Sequence, residues 1–284
     1  MRADLQLLGG DCRAMLATIP DASIDAVVTD PPYEIGFSGA AWDATGVAYD
    51  SEMWAEVLRV AKPGSYLMAF GGTRTFHRMA SAIEDAGFNV EDCMAWLYSN
   101  GFPKHASKLK PAWEPIVLAR KSAARATLLN IDENRDNGRW PANVLFDDGA
   151  AAQFDGENPR REQLSRLFYV AKPRTGEREA GLSSKAGFRR RAISVLSGLK
   201  KDEPTRARFN DHPTVKPIEL MRRLIRLVAP PRGVVLDPFT GSGTTGCAAM
   251  LEGRRFVGIE RERAYLRIAA ARIRHWKEVA ASGE

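Results

Sequence analysis

The stretch Gly233-Val234-Val235-Leu236-Asp237-Pro238-Phe239-Thr240-Gly241-Ser242-Gly243-Thr244-Thr245-Gly246 decides the fold. Its first four residues are a short apolar run without a charge, the pattern of a strand covered on both faces, as in a parallel sheet lined by helices. Gly241, Gly243 and Gly246 then satisfy G-x-G-x-x-G between that strand and a helix, where glycines allow a tight turn and close approach of a ligand. The next strand-like run, Arg255 to Ile259, ends at Glu260, a carboxylate suited to accept hydrogen bonds from ribose hydroxyls. A bare β-to-α turn would account for one glycine but not for this run of Asp, Gly, Gly and Glu.

The same alternation extends outward. Upstream, Met221, Leu224, Ile225 and Val228 repeat at helical spacing and stop at Pro230-Pro231; downstream, Tyr265, Ile268, Ala269, Ile273 and Trp276 form the face of a last helix. Near the amino end, Leu5 to Leu8 is a strand ending at Gly9-Gly10-Asp11, and Ala26 to Thr29 is a second, rich in β-branched residues. Trp54, Val57, Leu58 and Ala61 make an amphipathic helix closed by Lys62-Pro63-Gly64. Ser65 to Phe70 is a strand, Phe76, Met79, Ala80 and Ile83 a helix face, and Cys93 to Tyr98 with Pro115 to Ala119 a further strand pair. Strands alternating with helices predict an α/β fold with a mostly parallel, twisted sheet.

The glycine loop lacks the lysine of a phosphate-binding P-loop. A nicotinamide dinucleotide loop would place its first glycine almost directly after the strand. Here Asp237-Pro238-Phe239-Thr240 intervenes, and its carboxylate would repel a pyrophosphate but suit a cationic amino-acid ligand. A ligand with a ribose, an ammonium and a sulfonium is S-adenosylmethionine.

Composition bounds the rest. With 284 residues, 44% hydrophobic and 27% charged, the chain is long enough for a sizeable core and too apolar for general disorder. The net charge of +6 is uneven: residues 158–210 hold 14 basic and 5 acidic side chains, leaving −3 for the remainder. Such a block, with Arg189-Arg190-Arg191, Lys200-Lys201 and interspersed aromatics, fits a polyanion-facing module; any single charge in it is more simply a solvated one. Periodicity fades from Ser122 to Asp211, so that stretch reads as an insertion. Three cysteines, Cys12, Cys93 and Cys247, are odd in number and lack metal spacing, so they are expected to be small buried hydrophobes in a reducing, cytoplasmic setting, with no metal site. No apolar run approaches a membrane span, and the amino end lacks a signal peptide's apolar core.

A second motif is sharper. Asp30-Pro31-Pro32-Tyr33 follows a strand directly, where open α/β sheets place their ligand crevice, and the prolines force the chain out of the sheet. An exocyclic amine on an aromatic base is a poor nucleophile because its lone pair is delocalised. Acceptors from Asp30 and the Pro31 carbonyl would hydrogen-bond the amino hydrogens and favour a pyramidal, attacking nitrogen, while Tyr33 stacks on the base. Alone, an Asp-Pro turn is common.

Together with the glycine loop, the motif resembles that of the S-adenosylmethionine-dependent DNA amino-methyltransferases in their permuted order, catalytic motif before cofactor motif. Asp30 to Tyr33 matches the family's catalytic tetrapeptide, and Asp237 to Thr245 its cofactor loop. His212-Pro213-Thr214-Val215-Lys216-Pro217 matches a third signature ahead of the cofactor strand. The resemblance implies a Rossmann-like methyltransferase fold with an inserted target-recognition region: residues 1–121 as catalytic half, 122–211 as DNA-binding insertion and 212–284 as cofactor half. It implies catalysis by Asp30, Pro31, Pro32 and Tyr33. The cofactor set it implies is Asp11, Asp30, His212, Thr214, Lys216, Asp237, Pro238, Phe239, Gly241, Ser242, Gly243, Thr244, Thr245 and Glu260, with Asp11 on the adenine and Thr214 and Lys216 near the carboxylate. Double-stranded DNA is the implied partner, with Arg189, Arg190, Arg191, Lys200 and Lys201 on phosphates. Some members carry a further carboxyl-terminal domain, and no contribution from one is expected here.

Asp at the first catalytic position leans to adenine N6 in that family, and Ser to cytosine N4. Asp30 therefore favours adenine, with cytosine-N4 methylation as the nearest alternative and a silent DNA-binding protein of the same fold as a more distant one. Intact Asp30, Tyr33, Asp237 and Glu260 count against the silent form. The DNA sequence read, the oligomeric state and any restriction nuclease partner are not written in these motifs.

Overall fold

The computed structural model describes residues 4–36, 41–98, 109, 111–124, 128–135, 138–147, 150–151, 173–184, 186–189, 191–192 and 207–282. In chain order its elements are β1 (Leu5–Gly9), α1 (Cys12–Leu16), β2 (Ile24–Thr29), α2 (Ser51–Val60), β3 (Ala61–Phe70), α3 (Phe76–Asp85), β4 (Phe88–Leu97), β5 (Trp113–Lys121) and β6 (Val144–Phe146). Then come α4 (Thr175–Glu179), a short ribbon of β7 (Arg191–Ala192) and β8 (Ala207–Arg208), α5 (Ile218–Val228), β9 (Val234–Asp237), α6 (Thr244–Leu251), β10 (Arg255–Glu260) and α7 (Arg263–Ser282).

Eight strands form one sheet in the order β1-β10-β9-β2-β3-β5-β4-β6. All neighbours pair in parallel except β5, which runs antiparallel between β3 and β4. Side-chain alternation sorts the core into two layers. Ala26 and Val28 of β2 pack with α5, α6 and α7 on one face; Ile24 and Val27 pack with α1, α2 and α3 on the other. The mostly parallel α/β sheet expected from the sequence is present, and its apolar strands are continuous because both faces are covered.

Three local expectations are corrected. Helix α2 stops at Val60, and Lys62-Pro63-Gly64 belongs to β3, where a register shift against β2 and a left-handed Gly64 absorb the proline. Strand β4 starts at Phe88, well before Cys93. Cys93 itself is exposed, whereas Cys12 and Cys247 are buried. The short β6 pairs only with Ala95 to Leu97, so the first half of β4 is an outer strand with solvent beyond it.

Among the described residues of the stretch 122–211, several pack onto the main sheet and its helices. Val144–Phe146 is an edge strand of the main sheet. The Asn130 side chain donates to the carbonyls of Arg226 and Ala229 at the carboxyl end of α5, while Glu177 accepts from the Ile218 amide at its amino end. Both ends of α5 leave backbone groups that the helix itself does not satisfy, and side chains of this stretch complete them. No helix among the described residues is long and apolar enough to cross a membrane.

Candidate active site

Parallel strands bring their carboxyl ends to one edge of the sheet. In the order β1, β10, β9, β2, those ends deliver Asp11, Glu260, Asp237 and Asp30 side by side, and all four line one cavity of about 1530 Å³.

The glycine loop between β9 and α6 is held from inside. Asp237, 2% exposed, accepts from Thr29 Oγ1 (2.7 Å) and the Phe239 amide (3.0 Å) on Oδ1, and from Thr245 Oγ1 (2.6 Å) on Oδ2. Burial raises its pKa to about 6 against the lowering effect of these donors. Its carboxylate therefore fastens the loop to β2 and has little acceptor capacity left for an ammonium. Thr245 serves Asp237. Ser242 serves Arg272, whose fully buried guanidinium donates to Ser242 O (2.6 Å) and Oγ (3.0 Å). Arg272 lies on the stripe of Ile268, Ala269 and Ile273, so its helical spacing could have flagged it.

Two glycines are dictated by geometry. Gly241 has φ 52° and lies where a Cβ would fall 2.8 Å from His212 Nε2. Gly243 has φ 84°, and its Cβ would fall 2.8 Å from Ala269 Cα. Gly241, Pro238, Phe239, Ser242, Thr244 and Thr245 line the cavity. Gly243 instead turns the chain onto α7.

Glu260 is pinned without being consumed. Oε2 accepts from the Gly241 amide (2.8 Å) and Oε1 from the Glu262 amide (2.7 Å), leaving acceptor capacity on each oxygen. Burial lifts its pKa to about 7. Asp11 caps α1 through the Arg13 amide (3.0 Å) and is the more solvent-exposed of the two.

At the next strand end, Lys216 Nζ donates to Asp30 Oδ2 (2.6 Å) and to the Tyr33 hydroxyl (3.1 Å) and lies 3.3 Å from Glu114 Oε2. The Tyr33 hydroxyl donates to Glu114 Oε2 (2.8 Å). Asp30 Oδ1 is buried and has no hydrogen-bond partner among the described residues. Burial raises the pKa of Asp30, and Lys216 opposes that rise. Burial alone would lower that of Lys216, but Asp30 and Glu114 reverse the effect and keep it charged. The Lys216 ammonium, expected near a cofactor carboxylate, is thus committed to the catalytic turn. Glu114 escaped the sequence reading because it belongs to no motif. It reaches this edge as the second residue of β5, which is reversed and so brings its amino end to the rim. Pro31 and Pro32 also line the cavity.

His212 is half-buried, packs edge-on against Tyr265 (4.6 Å) and is held neutral, its pKa lowered to about 3 by desolvation and by Arg178, Arg272 and Lys216. Thr214 and Arg178 share the cavity wall with it. Arg178, from the basic stretch, has its pKa lowered to about 10 by burial and by Arg208 and Arg272. Among the residues expected on phosphates, Arg189 is exposed and Arg191 enters the β7–β8 ribbon through its backbone. Arg190, Lys200, Lys201 and the side chain of Arg191 lie outside the described residues.

An open parallel sheet with a carboxylate on each of four adjacent strand ends, a glycine loop fastened beneath them and an acidic turn alongside defines a nucleoside-cofactor enzyme whose reacting group sits next to the cofactor loop. The chain matches the model of the DNA methylase family, N6- and N4-methyltransferases, over residues 24–271. It is 28% identical over 290 residues to the Type II methyltransferase M.HinfI of Haemophilus influenzae, across 95% of this chain and 68% of that protein. Among solved structures, the PvuII DNA methyltransferase (cytosine-N4-specific) aligns over 99% of this chain and 94% of its own, with TM-score 0.65 at 17% identity. An M1.HpyAVI–SAM complex aligns over 95% and 99%, with TM-score 0.55 at 22% identity. The chain belongs to the DNA methylase family, and is an S-adenosylmethionine-dependent methyltransferase acting on amino groups of DNA.

Proposed function

We propose that the protein is a site-specific DNA methyltransferase that acts on the N6 amino group of adenine, rotating the base out of the duplex and transferring the methyl directly. The observation that carries this reading is the division of labour at Asp30, whose Oδ2 is taken by Lys216 while Oδ1 has no partner among the described residues. A buried carboxylate oxygen without a donor is costly. The amino hydrogens of an adenine are donors of the right kind.

S-adenosylmethionine supplies a methyl group on a sulfonium. The residues present fit it: Glu260 keeps acceptor capacity for ribose hydroxyls, Asp11 keeps acceptor capacity for an adenine amine beside its bond from the Arg13 amide, and Phe239 lines the cavity wall. Arg178 and Arg208, which also line the cavity, supply the positive charge that a carboxylate needs. At about 1530 Å³ the cavity exceeds the usual several hundred to ~1,000 Å³ of a single small-molecule site, leaving room for a base beside the cofactor.

A stacked and paired amino group is out of reach of a crevice at a sheet edge, so the target base leaves the duplex at a cost of a few kcal/mol. Tyr33 offsets part of this by stacking, at ~1–3 kcal/mol. Asp30 Oδ1 and the Pro31 carbonyl accept the amino hydrogens and direct the nitrogen lone pair. The proton lost after transfer leaves by way of Asp30. No cysteine nucleophile takes part.

A second reading, cytosine-N4 methylation, is favoured by the likeness in fold to the PvuII enzyme. Product analysis separates them. Tritiated methyl from the cofactor is expected in N6-methyladenine. Recovery in N4-methylcytosine would overturn the adenine assignment alone, and recovery in 5-methylcytosine the whole mechanism. Asp30→Ala is expected to abolish transfer while leaving cofactor affinity within a few-fold by calorimetry. Full activity in that variant would refute the role of Asp30.

A further inference from the structure

We propose that Glu114 is a positioning residue of the methyl transfer, acting through Lys216 and Tyr33 to keep the catalytic turn net negative and to hold Lys216 on one oxygen of Asp30 only. The inference deepens the amino-methylation reading and rests on it.

The geometry is a closed polar ring. Lys216 Nζ lies 2.6 Å from Asp30 Oδ2, 3.1 Å from the Tyr33 hydroxyl and 3.3 Å from Glu114 Oε2, and the Tyr33 hydroxyl closes the ring on Glu114 at 2.8 Å. The ammonium also sits over the rings of Phe70 (4.8 Å) and Tyr33 (5.3 Å), which confine it from the apolar side. With two of the ammonium's donor hydrogens on Asp30 Oδ2 and the Tyr33 hydroxyl and its third side facing Glu114 Oε2 at 3.3 Å, none is directed at Asp30 Oδ1. That is the oxygen without a partner. If Glu114 offered no acceptor, the ammonium would be free to chelate both oxygens of Asp30 and occupy the acceptor that the substrate amine needs.

Charge gives the same assignment. Asp30 and Lys216 together are neutral. Glu114 brings the buried group to one net negative charge, beside a reaction that starts from a cationic sulfonium and develops positive charge on the target nitrogen. A preorganised negative charge in a partly desolvated site stabilises that transition state more than the ground state of a neutral base. The methyl moves from sulfur to nitrogen, the sulfonium keeps the bonding pair and becomes a neutral thioether, and the nitrogen loses one proton to Asp30. The cluster therefore passes from net −1 to neutral as the cation is consumed.

Glu114→Gln preserves shape and an acceptor oxygen for Tyr33 and removes the charge. Single-turnover transfer should slow about ten- to a hundredfold, the range of a charge-assisted hydrogen bond. Cofactor affinity should change far less than the rate. The pH profile carries the specific signature. Glu114 raises and Lys216 lowers the pKa of Asp30, so the acid limb of kcat should move to lower pH in Glu114→Gln and to higher pH in Lys216→Gln. In Glu114→Gln/Lys216→Gln, the loss of rate should be smaller than the product of the two single losses, because part of the effect of Glu114 runs through that ammonium. Melting temperatures close to wild type ensure that the comparison is between folded proteins. If Glu114→Gln melts early, the limb shift in Lys216→Gln and the double variant's rate decide instead. Limbs that stay at the wild-type pH, or rate losses that multiply in the double variant, would overturn the role of Glu114. Wild-type product in 5-methylcytosine would overturn the amino-methylation reading instead, so the two failures are distinguishable.

Discussion

Glu260 is held by two backbone amides at the edge of the cavity with a pKa of about 7, raised by burial from an ordinary 4.5. The native protein therefore binds more protons here than the unfolded chain between these values, so this group's contribution to stability falls as pH rises through that window. Ligand binding has the opposite sign. A ribose diol donates to the carboxylate, so cofactor affinity should rise with pH through about 7, and the slope should vanish in Glu260→Ala. That variant should also bind the cofactor about ten- to a hundredfold more weakly, for a loss of ~1.5–3 kcal/mol. Isothermal titration at several pH values checks both; unchanged affinity removes Glu260 from the site. Asp30, Asp237 and Glu260 were legible in the sequence because each stands at the end of an apolar strand, the first two beside prolines that announce a turn and the third one strand beyond the glycine loop. Glu114 was not, because its role comes from a pairing across the fold on a reversed strand; for Arg272 the helical spacing marks the buried face, but its partner on the loop is set only by how that helix is laid.

At the scale of elements, the meeting of α6 and α7 sets how firmly the cofactor loop is seated. Gly243 enters α6 at φ 84°, and a methyl group there would stand 2.8 Å from the Ala269 backbone of α7. Gly243→Ala should cost ~1–3 kcal/mol for the backbone conformation, with more for the clash, because the obstructing atom is main chain and cannot swing aside. Urea unfolding monitored by far-ultraviolet dichroism measures the loss, and stability equal to wild type would show that α7 can retreat. Strand and helix order was readable here because period-two and period-3.6 patterns are strong in buried elements. Boundaries were not readable where a bulge at Pro63-Gly64 lets a helix run straight into a strand. The stitching of residues 122–211 onto α5 through Asn130 and Glu177 leaves no periodic trace at all.

Across the whole molecule, charge is partitioned. The sheet edge that carries Asp11, Glu260, Asp237 and Asp30 is acidic, and the sequence 158–210 carries the basic excess, of which, among the described residues, Arg178 and Arg208 line the cavity. Neutralising Arg189, Arg190 and Arg191 together should weaken binding to any DNA and flatten log K against log salt by roughly 0.9 for each phosphate that is no longer neutralised. A slope equal to wild type would make the run a solvated surface.

The catalytic turn is fastened from several directions. The Tyr33 carbonyl accepts from Thr75 Oγ1 (2.7 Å) and the Tyr49 hydroxyl (3.4 Å), the Asp43 carboxylate takes the amides of Glu34 and Ile35, and Glu114 and Lys216 hold the side chains. Two bodies that must fit share their deformation in inverse proportion to stiffness, and here the enzyme is the stiff one. On the proposed mechanism the duplex therefore bears nearly all of the distortion, and its local softness sets occupancy of the reactive complex. A target adenine placed opposite a mismatch or an abasic site has already given up part of its pairing, so binding should tighten by up to a few kcal/mol, measurable by fluorescence anisotropy on matched duplexes. Equal affinity for the paired and unpaired targets would locate the yielding part in the protein after all.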